Sequence, residues 1–317
     1  MHKTGYFTHP DCRRHDMGRG HPECPERLDA IEDRMLSSRL LDVVERREAP
    51  LASPDILELA HDRMHVAAVR GLAQHVMDEE NAGGDGLVFI DPDTSMNRHS
   101  WNAVLRAAGA AIAATDAVMA GELENAFCAT RPPGHHACRD RAMGFCIINN
   151  VAVAARYALD RHGLQRIAVV DFDVHHGNGT EDILSGDERV LMVGLFQHPF
   201  YPHSGFGKHA DNMVNVPVPA YTKGDVIRGL VTRHWLPRLE EFKPEMIFIS
   251  AGFDAHREDD LGQLGMVEAD YTWITQQIKD VAQRHAKGRI VSCLEGGYNL
   301  DALGRSVEAH VRALADV

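Results

Sequence analysis

The sequence predicts an α/β fold, an open parallel β-sheet sandwiched between helices. Short, continuous apolar runs rich in β-branched residues recur through the second half of the chain, as expected for strands buried on both faces. Amphipathic stretches of helical length separate them. Polar clusters close several of these runs, at the carboxyl ends of the strands where open parallel sheets bind ligands.

In chain order, Pro25-Glu26-Arg27-Leu28 opens a helix with proline in its first turn. Residues 79–98 are Gly- and Asp-rich and read as a long surface loop. Ser100 to Gly121 is an Ala-rich amphipathic stretch, and with Thr115 and Asp116 inside it is too short and too polar to span a bilayer. A strand over Ala126 to Thr130 and a helix over Asn149 to His162 follow. Further strands are expected from Arg166 to Phe172, Val190 to Phe196, Met246 to Phe253 and Arg289 to Leu294. Helices over Gly224 to Phe242 and Glu268 to His285 lie between them. With no repeat, low-complexity tract or Pro/Ser-rich linker, residues 1–317 read as a single domain.

Composition narrows the function. Hydrophobic residues make up 44% and charged residues 25% of the 317, values of a soluble globular protein with a sizeable core. The net charge of −13 argues against nucleic-acid backbones and anionic membrane surfaces as partners. It suits a cationic substrate and equally suits plain solubility. The six cysteines form no CxxC pair, which points to a reducing compartment. The first residues lack the apolar core of a signal peptide, so a cytoplasmic location is expected.

Asp173 and His175, two apart at a strand end, point the same way and can grip one metal ion. Asp254, at another strand end, is the natural third ligand. Two carboxylates and one imidazole leave a coordination position open, as a catalytic zinc requires; the donor set would also accept Mn or Fe(II). A second ion would need further carboxylates where Gly177 and His256 stand, so a single ion is expected.

Several segments carry a resemblance. They are His21-Pro22-Glu23-Cys24-Pro25-Glu26-Arg27-Leu28, RPPGHHA at 131–137, Gly144-Phe145-Cys146, DFDVHHGNGT at 171–180, SAGFDAH at 250–256 and LEGGY at 294–298. In this order they resemble the histone deacetylase family, specifically its class II branch and bacterial histone deacetylase-like amidohydrolases. The resemblance implies an arginase-like fold and hydrolysis of N-acetyl amides at one zinc held by Asp173, His175 and Asp254. It implies that His135 and His136 are the tandem active-site histidines and Tyr298 the oxyanion-stabilising tyrosine. Gly144 and Phe145 would line one wall of a narrow substrate channel. Tyr201, which precedes Pro202, or its neighbour Phe200 would form the other. It also implies a structural K⁺ or Na⁺ on backbone oxygens of Asp171, Asp173 and His175.

In that frame His136 is the candidate general base, and Asp171 would hydrogen-bond His135 and keep it protonated. Asn178 stands where class I relatives carry Asp, and a neutral partner leaves the His136 pKa lower. His176 and His256, beside candidate ligands, read as supporting groups, and His61, His65, His162 and His285 as surface or helix residues. The expected substrate is acetyl-lysine of a protein or peptide. The alternatives are an acetylated polyamine, or a catalytically weak acetyl-lysine binding module, against which the intact Tyr298 speaks. Leu261 stands where one polyamine-specific relative has an acidic gatekeeper. Glu258, Asp259, Asp260, Glu79, Glu80, Asp85, Asp91 and Asp93 are nearby acids that could meet a cation, and Asp93 could hold the substrate's backbone amides. The oligomeric state is not legible.

Overall fold

The structure, a computed structural model, describes residues 3–81 and 86–317; Asp85 of the expected loop lies outside them. Eight parallel strands form the central sheet: β1 (Thr4–Thr8), β2 (Glu45–Glu48), β5 (Asn125–Cys128), β6 (Ile167–Asp171), β7 (Val190–Gln197), β8 (Met213–Val218), β9 (Met246–Ala251) and β10 (Ile290–Leu294). Their order is β2-β1-β5-β10-β9-β6-β7-β8. A small antiparallel hairpin, β3 (Val88–Phe89) and β4 (Ser95–Met96), lies outside the sheet.

Side-chain alternation divides every strand of the sheet except β2 between two cores. In β6, Ile167 and Val169 enter one core while Ala168 and Val170 enter the other. The first core takes helices α3 (Pro54–Leu57), α4 (Arg63–Asn81), α5 (Ser100–Met119), α6 (Asn150–Arg161) and α7 (Asn178–Leu184). The second takes α2 (Glu26–Ser37), α8 (Gly224–Leu230), α9 (Leu236–Phe242), α10 (Glu268–His285) and α11 (Leu300–Ala315). A one-turn helix, α1 (Asp11–Arg14), follows β1. Both faces of the sheet are therefore covered, as the apolar strands require. Among the described residues no helix is long and apolar enough to cross a membrane.

Two expectations need correction. Residues 79–98 are not one loop: Glu79 to Asn81 finish α4, and 88–96 hold the hairpin. Gly224 to Phe242 is not one regular helix, since a wide turn over Val231–Trp235 separates α8 from α9. Pro237 in the first turn of α9 has no N–H to give to the preceding turn, and the backbone widens there. Strands β1, β2 and β8 were not expected. β2 reads Glu-Arg-Arg-Glu and β8 contains Pro217, yet both are edge strands, where charge and proline are tolerated.

Candidate active site

Five adjacent strands, β5, β10, β9, β6 and β7, send their carboxyl-terminal loops to one rim. Asp173 and His175 follow β6, and Asp254 follows β9. His175 Nδ1 lies 3.0 Å from Asp173 Oδ1 and 3.1 Å from Asp254 Oδ2. One donor atom from each of the three residues lies within 4.8 Å of the others. Both carboxylates are buried and His175 is half-buried. Three convergent donors on buried carboxylates and an imidazole suit one divalent ion. Backbone N–H groups orient them: Gly296 donates to Asp173 Oδ2 (2.9 Å), Val174 to Asp254 Oδ1 (2.9 Å) and His175 to Asp173 Oδ1 (2.8 Å). A Cβ at Gly252 would strike Asp173, and one at Gly296 would strike both Asp173 and Asp254. Only glycine leaves room there for two carboxylates to meet.

The tandem histidines come from the loop after β5. Their rings lie 4.0 Å apart, and His136 stands edge-on to His175 at 5.7 Å. Asp171 Oδ2 accepts from His135 Nδ1 at 3.0 Å. Burial would lower the His135 pKa, but Asp173 and Asp171 outweigh it and hold the ring well above its ordinary value. At His136 burial wins, joined by the His135 and His175 rings, and its pKa falls well below the ordinary value. Asn178 Oδ1 accepts from His136 Nδ1 at 2.7 Å, while its Nδ2 donates to Cys138 Sγ (3.3 Å) and Met143 Sδ (3.4 Å). Those sulfur acceptors orient the amide, so the His136 proton sits on Nδ1 and the free lone pair on Nε2.

A family model for the histone deacetylase domain matches residues 21–314. The chain belongs to the histone deacetylase family. It is 38% identical over 287 residues to the histone deacetylase-like amidohydrolase of Pseudomonas aeruginosa, covering 88% of this chain and 73% of that protein. It is 34% identical to type-2 histone deacetylase 2 of Dictyostelium discoideum over 99% of this chain, and spans only 21% of that longer protein. A crystal structure of the HDA15 HD domain superposes with a TM-score of 0.92 at 31% identity, covering 100% of this chain and 90% of that one. The central sheet flanked by helices is thus the arginase-like fold of the histone deacetylases, and membership of the family supports deacetylase activity.

The remaining predicted residues surround this centre unevenly. Phe145 sits at φ +68, held by its N–H donating to Thr94 Oγ1 (3.0 Å) and by the His21 ring at 4.7 Å. It stands edge-on to Tyr298 at 5.8 Å. The two candidates for the other wall separate. Phe200 stacks on His175 at 5.4 Å, whereas Tyr201 stands edge-on to His136 at 5.2 Å with its hydroxyl directly over Gly144. The Tyr298 ring lies under the Arg27 guanidinium at 4.9 Å, and burial lifts its pKa well above the ordinary value. Asp93 is exposed on the hairpin turn, where its carbonyl accepts from His21 Nε2 at 3.1 Å. Leu261 is half-buried, and its N–H donates to Asp259 Oδ1 (3.0 Å).

One histidine departs from the surface-or-helix reading: His61 is buried outside any helix and joins Cys138 O (2.8 Å) to the Asn149 N–H (2.9 Å). His65 is a helix residue of α4, buried with its ring on Ile147 O (2.9 Å). His162 and His285 are half-buried against Asp116 and Glu240. His176 supports the loop of Phe200 and Tyr201 through Ser204 Oγ (2.8 Å). Glu295 was missed as a support. Burial lifts its carboxyl to about 7, and it accepts the N–H groups of Gly134 (2.6 Å) and His135 (3.0 Å) beneath the tandem histidines. Only its place in LEGGY signalled it. Arg27 and Arg131 are fully buried around Glu23, and Arg27 also donates to the carbonyls of Gly297 (2.6 Å) and Glu295 (2.5 Å).

Proposed function

We propose that this chain is a zinc-dependent deacetylase that hydrolyses the acetyl-amide of acetyl-lysine in proteins or peptides. The observation that carries it is the Asp173, His175 and Asp254 cluster facing two histidines with different partners, His135 on the Asp171 carboxylate and His136 on the neutral Asn178 amide. Held by those three residues, zinc would supply Lewis-acid chemistry, acidifying a water and polarising a carbonyl. His136, neutral and with Nε2 free, takes the proton from the attacking water and returns it to the leaving amine. His135, kept cationic by its hydrogen bond to Asp171, supplies positive charge beside the developing oxyanion. Tyr298, protonated because burial disfavours its phenolate, donates its hydroxyl to that oxyanion. Phe145 and Tyr201 flank the acyl-lysine stem.

Lysine is favoured over a polyamine because Leu261 offers no charge to a distal ammonium and two of the three acids before it are engaged, the third, Asp260, being exposed. Glu258 pairs with Arg305 at 2.7 Å, and Asp259 is buried on backbone N–H groups. Steady-state kinetics of the zinc-loaded protein on acetyl-lysine peptides, acetylputrescine and acetylspermidine test the assignment. A higher kcat/KM on the peptides is expected. Preference for the small amines would reverse the substrate ranking, and no turnover of any acyl-amine would defeat the enzyme reading.

A further inference from the structure

Tyr298 lies between a glycine pair and a helix. Gly297 precedes it at φ +119, a conformation with little backbone preference of its own. Asn299 follows as the N-cap of α11, its side chain accepting from the Ala302 N–H at 3.0 Å. The placement of the phenol therefore depends on what holds this short backbone link. Arg27 takes the carbonyl side, at Gly297. The N–H side belongs to Asp259.

Asp259 Oδ2 accepts from both the Tyr298 N–H (2.6 Å) and the Asn299 N–H (2.9 Å). Its Oδ1 accepts from the Leu261 N–H, and its own N–H donates to His256 O at 3.0 Å. The side chain is buried, so water does not replace it easily. Asp259 is also five residues beyond Asp254. One short segment thus presents a carboxylate to the metal cluster at one end and clamps the tyrosine loop at the other. We propose that Asp259 is a positioning residue that sets the Tyr298 hydroxyl relative to the Asp173, His175 and Asp254 cluster. This rests on the reading of Tyr298 as oxyanion donor. Its physical basis is distance: a displacement of about 1 Å at a reacting group can cost about 100-fold in rate.

The test is a double-mutant cycle on one acetyl-lysine peptide, with zinc content and Tm measured for every variant. D259N is near-isosteric but presents an amide where two N–H groups need acceptors. It is expected to lower kcat by about 10- to 100-fold, leaving KM within about twofold and zinc unchanged. In a Tyr298→Phe background the same change is expected to cost less than about twofold, because the group it positions is gone. Should D259N be recovered unfolded, Asp259→Glu, which keeps the carboxylate but moves it, completes the same cycle. Losses that multiply in the double variant, a wild-type kcat in D259N, or a loss that tracks zinc release would each overturn the positioning role. Full turnover in Tyr298→Phe alone would overturn the reading of Tyr298 and this proposal with it; collapse there with multiplying losses would overturn this proposal only.

Discussion

At Glu23 two arginines decide the charge state of a buried acid. Burial would raise its pKa, but Arg131 and Arg27 outweigh it and bring it from 4.5 to about 2. The carboxyl is depressed in the folded state, so its stabilisation is fully present above pH 4.5 and is lost as pH falls through the folded value. Glu23→Gln is expected to cost about 3–5 kcal/mol near neutral pH, because it strips the partner from buried guanidinium groups. Urea melts carried down to about pH 3 should show the gap between variant and wild type narrowing; a gap constant with pH would contradict the assignment. Tyr298 tests chemistry at the same scale. Tyr298→Phe removes one donor and no packing, so kcat should fall by about 10²–10³ with zinc content and Tm retained. Retained turnover would refute its role.

Helix α5 shows how an element's surroundings reverse a propensity. On an exposed helix, Gly→Ala would stabilise by about 1 kcal/mol. Gly109, however, is buried, and a Cβ there would land on the Pro50 carbonyl oxygen and crowd the Ala52 N–H. Both are backbone atoms that cannot rotate away. Gly109→Ala is therefore expected to destabilise by about 1–3 kcal/mol, read by thermal melts; an unchanged or higher Tm would show that the 50–52 segment yields. α6 and α11 follow local rules, each opening on an asparagine whose side chain accepts from the N–H three residues on.

For the whole molecule, the sheet assembles the Asp173, His175 and Asp254 cluster from loops about 80 residues apart in sequence, so the proposed ion binding would be linked to folding. Chelation should abolish turnover and lower Tm, and readdition of zinc should restore both. At free zinc about 100 times its Kd the ion would contribute about 2.7 kcal/mol. A chelated protein with wild-type Tm and activity would remove the metal from the mechanism. The same architecture explains why the rim is polar while the sheet beneath it is not. Backbone carbonyls and N–H groups within the strands are paired to each other, and only beyond the last ladder bond can side chains such as Asp173 and Glu295 turn to ligands or to free N–H groups.

The central strands and the Asp173 and His175 pair at one strand end were legible because both are local signals. Runs such as Ile167 to Asp171 announce a doubly buried strand, and Asp173 with His175 share a direction whatever surrounds them. The edge strands were not: Glu45 to Glu48 pairs on one side only, and nothing apolar marks it. The supporting role of three acids was not legible for a different reason. Glu295, Asp259 and Glu23 are acidic residues, a type that composition alone places in solvent, and each is buried because distant backbone N–H groups or guanidinium groups meet it there. Sequence alone determined which chemical groups are available and which strand ends carry them. Tertiary structure alone decided which nitrogen of His136 is free, which aromatic faces it and what holds Tyr298, since each depends on partners brought together only by the closed sheet.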